Sequence, residues 1–156
     1  MTSNTMTSSA MTANALRANA TASKTASLSD LTSAAGRIAL AMLFLWSGYG
    51  KFAHAAGNIG YMQAYGVPAA DILIWPVALV EVLAGLALAL GWNTRWAALA
   101  LIAFTLPATF IFHAYWGVPA DQVMNQQIHF MKNLAIVGGL LSVFAHGAGR
   151  YALDRH

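Results

Sequence analysis

Four predominantly apolar stretches, each close to twenty residues long, constrain this chain more than any other feature; they run over 37–56, 72–92, 96–116 and 126–146. A helix of about 20 residues crosses the roughly 30 Å hydrocarbon layer of a bilayer, so each stretch is long enough to span it. In lipid an unpaired backbone N–H or C=O finds no water, which leaves only helices and closed barrels, and the period-two alternation of barrel strands is missing. The expected fold is therefore all-α, an integral membrane four-helix bundle. Charge agrees: 8% of the 156 residues are charged, where a soluble domain carries about 25%.

The remaining segments divide the chain in two. Residues 1–32 are mostly Thr, Ser, Ala and Asn, with a few Met and Leu and single Arg17, Lys24 and Asp30, no apolar periodicity and no signal-peptide hydrophobic run, and are expected to form a disordered tail. Residues 33–156 form the transmembrane domain. Gly91-Trp-Asn-Thr94 is a tight turn that makes the second and third helices antiparallel neighbours. The connection from Gly57 to Pro68 sets Tyr61, Met62, Tyr65 and Val67 among polar or Gly positions, which predicts a short interfacial segment between helices 1 and 2. The connection from Gly117 to Asn125 is polar. Trp75, Trp92, Trp96, Tyr115 and Trp116 fall near span ends, as an aromatic belt requires, and Pro76 and Pro107 are tolerated as kinks.

Basic residues give the orientation. Arg17, Lys24, Arg37, Arg95, Arg150 and Arg155 fall on one side of a four-span chain, while the other side has Lys51 and Lys132. The positive-inside rule then places both termini in the cytoplasm. The basic residues are scattered singly at segment ends, so the chain is not read as a nucleic-acid binder.

Lys51, Glu81, His113 and Lys132 fall inside or at the edges of spans, on the side away from the termini. Glu81 is nine residues into its span, about 14 Å deep, near the midplane. Lys51 shares a helical face with Ser47 and Gly48; Glu81 with Ala78, Ala84 and Gly85; and Lys132 with Ala135, Gly139 and Ser142. Thr105, Thr109 and His113 form a stripe, and His129, Lys132 and Asn133 share another face. Close helix contacts use small residues and polar groups avoid lipid, so these faces are expected to converge on one polar pocket. Such a pocket could bind an anionic or carbonyl-bearing molecule and exchange protons with a quinone head group. The alternative is that Glu81 pairs with Lys51 or Lys132 only to neutralise the bundle and fix its register.

With no cysteine in the chain, disulfides, thiolate metal sites and dithiol relays are excluded. No His pair stands at i, i+4 and no second carboxylate accompanies Glu81, so no dedicated metal or haem site is expected. His54 and His146 are read as interfacial, and Asp71 as a first-turn carboxylate of the second helix.

These residues together resemble the DoxX family of small four-helix membrane proteins. The matching pieces are Ser47-Gly-Tyr-Gly-Lys-Phe52, Glu81 with Gly85 and Gly91, Thr94-Arg95, His113, Phe130-Met-Lys-Asn-Leu-Ala-Ile-Val-Gly-Gly139, and Gly147-Ala-Gly-Arg150 with Asp154, over about 35–154. The resemblance implies a bacterial inner-membrane protein with Lys51, Glu81, His113, Lys132 and Asn133 as its polar pocket, supported by Ser47, Thr105, Thr109 and His129. Some family members are linked to membrane oxidoreductases, including a thiosulfate:quinone oxidoreductase, and others to complexes handling oxidative stress. The expected function is a component of a membrane oxidoreductase system that binds quinone or a small redox-active molecule in an outward-facing pocket. A membrane or soluble redox partner or a homo-oligomer would accompany it, and whether the chain is itself an enzyme stays open. The competing readings are a non-enzymatic subunit that docks a partner protein, and a small-solute or proton transporter.

Overall fold

The computed structural model describes residues 3–154, with side chains continuously from Leu28. In chain order it contains α1 (Ser3–Ala53), α2 (Ala55–Ala64), α3 (Ala70–Leu90), α4 (Thr94–Phe112), a 3₁₀ turn (Tyr115–Gly117) and α5 (Ala120–His146). Four segments are long and apolar enough to cross a membrane: Leu28–Ala53, Ala70–Leu90, Thr94–Gly117 and Ala120–His146. No strand occurs among the described residues. The fold expected from hydropathy is the one found.

Two boundaries differ from expectation. The helix of the first span begins at Ser3, so the segment read as an irregular tail continues it. Neither Gly nor Pro occurs before Gly36 and Ala is frequent; once a membrane span supplies the nucleus, adding residues to a helix is inexpensive. Helix α5 begins at Ala120 rather than near Gln126, directly after Pro119, whose ring suits the start of a helix. Arg155 lies outside the described residues, as do the side chains of Arg17 and Lys24.

Helix α2 is the short segment expected between the first two spans. It buries Met62 against Ala70 and Ile74, with Ile59, Val67 and Phe112 packed around them. The α3–α4 turn is closed by Gly91 at φ +69, with Trp92 N–H donating to the Ala87 carbonyl at 2.8 Å and Gly91 N–H to that of Leu88 at 3.3 Å, a Schellman arrangement.

Helix α1 packs on α3, α3 on α4 and α4 on α5, while α5 returns to α1 only lightly. The core gathers Ala41, Phe44, Leu88, Ala98, Leu101 and Leu140. Gly48 and Gly85 bring α1 and α3 together: a Cβ at Gly48 would stand 2.7 Å from Val82 Cγ2 and 3.2 Å from the Ala78 carbonyl oxygen, and one at Gly85 3.2 Å from the Leu45 side chain.

The end of the bundle that holds the α3–α4 turn is locked by two charged residues. Arg37, 2% exposed, donates from Nη1 to the carbonyls of Leu88 (2.8 Å) and Ala89 (3.0 Å), and from Nη2 to that of Tyr151 (2.6 Å). Asp154 accepts from the backbone N–H groups of Asn93 (2.7 Å) and Thr94 (2.9 Å), capping α4. Arg37, expected from the sequence as an orientation signal, satisfies the free carbonyls at the end of α3.

Candidate functional site

At the opposite end, beneath α2, all five helices line a cavity of about 280 Å³. Its polar wall starts on α1, where Ser47 and Lys51 lie one turn apart on the face next to Gly48. Because Gly48 and Gly85 let α3 approach, Glu81 reaches both. The Lys51 Nζ stands 2.7 Å from Glu81 Oε2 and donates to Ser47 Oγ at 2.8 Å, and the Ser47 hydroxyl donates to Glu81 Oε1 at 2.9 Å. The Glu81 side chain is 2% exposed and that of Lys51 18%, and the costly intramembrane charge is compensated at Oε1 by the Ser47 hydrogen bond and at Oε2 by the ion pair alone. Lys51 also stands 5.8 Å from the centre of the Phe104 ring, a cation–π distance.

The facing wall comes from α4 and α5. His113, at the end of α4, pairs its Nδ1 with Gln126 Oε1 at 2.8 Å, which leaves Nε2 as an acceptor in the neutral ring. Asn133 presents an amide on α5, and Thr105 lines the floor while donating to the Leu101 carbonyl at 2.6 Å. From α2, Asn58 enters with its amide donating to the His54 carbonyl at 2.9 Å, so its own oxygen is left to accept. Tyr61 stacks on Phe112 at 5.3 Å between ring centres and closes that side. Partial burial and the neighbouring Tyr65 phenol push the Tyr61 phenol up to about 12, so it remains a neutral donor. Apolar side chains such as Phe44, Val77, Ala108 and Ile136 complete the wall.

Of the residues read as a site from the sequence, the structure places Ser47, Lys51, Glu81, Thr105, His113 and Asn133 on this cavity. It does not bring the other three there. Lys132 is exposed, because one residue turns a helix by about 100° and Asn133 takes the inward face. Thr109 is buried within α4, donating to the Thr105 carbonyl at 2.6 Å. His129 stacks on His113 with ring centres 5.0 Å apart and planes 16° apart. Asn58, Tyr61 and Phe104 are lining residues that sequence reasoning missed. The polar pattern of 57–68 announced a short helix, but nothing local to it said that the helix would fold over the bundle.

Comparison with known proteins gives one family. The DoxX family model matches residues 32–114. The chain is 38% identical over 128 residues to the Escherichia coli inner membrane protein YqjF, covering 82% of this chain and 93% of that one. It is 34% identical over 119 residues to the inner membrane protein YphA of the same organism, covering 76% and 85%. A shorter match, 29% identical over 69 residues, covers 43% of this chain and 26% of a Drosophila melanogaster Surfeit locus protein 4 homolog. No solved structure matches.

Proposed function

The chain belongs to the DoxX family, and on that footing we propose that it is a multi-pass inner-membrane protein binding a quinone head group or a similarly small redox-active ring as one component of a membrane oxidoreductase system. The observation that carries this reading is the wall composition of the cavity: an ammonium and a carboxylate at one side, a histidine and an amide at the other, and apolar surface between them. Its volume, about 280 Å³, lies just below the span of typical ligand pockets, about 300 to 1,000 Å³. That suits one substituted ring.

In this reading Lys51 and Asn133 donate hydrogen bonds to a carbonyl oxygen, and His113 Nε2 or Asn58 Oδ1 accepts from the hydroxyl of the reduced ring. Reduction of a quinone to its quinol takes two electrons and two protons. Glu81, Lys51 and His113 hold or pass protons, and the electrons belong to a partner protein. The termini face the cytoplasm and the cavity the other side, a reading supported by Arg37, Arg95 and Arg150 at the turn end of the bundle.

Organic extraction of the gently purified protein tests the proposal. A stoichiometric quinone in the native chain, lost in Ala108→Phe, which fills the cavity while leaving the ion pair untouched, is the expected result. Equal quinone content in both would refute it. The closed Ser47–Lys51–Glu81 triangle favours one other reading, a non-enzymatic subunit whose ion pair only fixes helix register. In that case the native protein carries no small molecule and a partner chain co-purifies.

A further inference from the structure

A second concavity, of about 610 Å³, lies at the turn end, where α5 returns to α1. The two helices touch through Leu40 and Gly139, the Leu40 methyl standing 3.3 Å from where a Cβ of Gly139 would be. Beyond that contact the groove is lined by Ser33 and Gly36 of α1 and by Ser142 and His146 of α5, with Arg37 among them. His146 pairs Nδ1 with the Ser142 carbonyl at 2.8 Å, so its other ring nitrogen donates only as imidazolium. The Ser33 and Ser142 hydroxyls can donate as well.

Arg37 gives the groove its charge. Its two Nη atoms are occupied by carbonyls, but its Nε–H, sealed in the protein, has no hydrogen-bond acceptor among the described residues. The Asp154 carboxylate, which caps α4 at the turn, also interacts with this guanidinium, and the Arg37 side chain lines the groove on its other side. Arg95 adds positive charge beside the α5 wall, reaching towards the Ala145 carbonyl at 3.5 Å.

The surroundings identify the kind of anion. Ile38 and Met42 on α1 and Leu141 and Phe144 on α5 are exposed large apolar side chains, so both helices bordering the groove face lipid. Trp92 and Trp96, exposed at the adjoining turn, put this level of the bundle at the headgroup layer. Basic clefts between spanning helices attract anionic headgroups. We infer that this groove holds the phosphate of one anionic phospholipid, hydrogen-bonded by Ser33, Ser142 and protonated His146 over the Arg37 guanidinium, with its acyl chains along the α1–α5 seam.

Gly36 supplies the test, because a Cβ there meets nothing within 4 Å; Gly36→Leu fills the groove without disturbing the Arg37 clamp. The delipidated full chain in detergent is titrated with phosphatidylglycerol or phosphatidylcholine of the same acyl chains and observed by native mass spectrometry. One phosphatidylglycerol per chain, retained at least tenfold more tightly than phosphatidylcholine, is expected. Gly36→Leu should lose that preference at an unchanged melting temperature. Should Gly36→Leu fail to fold, Ser142→Leu, at an exposed position on the facing wall, takes its place. Equal retention of the two lipids, or a preference that survives the blocking substitution, overturns the inference. So does displacement by millimolar inorganic phosphate alone, which would make the groove a site for a free anion, or a second copy of the chain occupying it.

Discussion

The Lys51 ammonium and the Glu81 carboxylate stand 2.7 Å apart, thirty residues from each other in sequence, with the Ser47 hydroxyl bonded to both. Two glycines make this approach possible, and the pair forms one wall of the cavity rather than a plug in the bundle.

Removing one partner of this pair leaves the other charge uncompensated. Lys51→Met is expected to destabilise the detergent-solubilised protein by about 3–5 kcal/mol, and the double variant Lys51→Met with Glu81→Met to recover most of that loss. Thermal unfolding of both single variants and the double variant measures the coupling. A double variant as unstable as the single ones would show that the charges do not act as a pair.

Glycines in the same bundle should differ sharply. Gly48→Ala places a methyl against the Val82 side chain and the Ala78 backbone and is expected to cost about 1–3 kcal/mol by overpacking. Gly138→Ala meets nothing within 4 Å, and should be neutral or stabilising by up to about 1 kcal/mol through helix propensity. The same melting experiment ranks the two, and equal effects would contradict the close α1–α3 contact.

Much of this was legible in the sequence because membrane spans announce themselves by length and hydropathy, and depth along a helix follows from counting. Glu81 near the midplane and Lys51 within the first helix could be read that way. Rotation is harder: Lys132 and Asn133 are neighbours in sequence, and packing against α4 decides which points inward. The Arg37 clamp was illegible for another reason. Its acceptors are backbone carbonyls of Leu88, Ala89 and Tyr151, which carry no side-chain signature, so only the charge of Arg37, and not its structural role, could be read.

That clamp has its own consequence. Asp154→Ala removes the acceptor for the Asn93 and Thr94 N–H groups and should cost about 0.5–2 kcal/mol, the worth of a helix cap. Arg37→Met should cost more, since a charged donor to buried carbonyls contributes about 1.5–3 kcal/mol per bond. It should also release the segment after Gly147 to proteolysis. Unchanged cleavage of that segment would contradict the clamp.

Topology can be tested on a chain that has no cysteine of its own. Gly57→Cys, at a position where a Cβ meets nothing within 4 Å, should react with an impermeant maleimide in spheroplasts, whereas Arg150→Cys should react only after lysis. The reversed pattern would put the cavity on the cytoplasmic side.

Titration of the purified, delipidated protein with a short-chain benzoquinone bears most directly on the cavity as a binding site. Saturable binding of one molecule per chain is expected, weakened at least tenfold, or about 1.4 kcal/mol, in both Ala108→Phe and the folded double variant Lys51→Met with Glu81→Met. Non-saturable partition, or a charge-free double variant that binds as tightly as the native chain, would show that the Lys51–Glu81 pair holds helices together and holds nothing else.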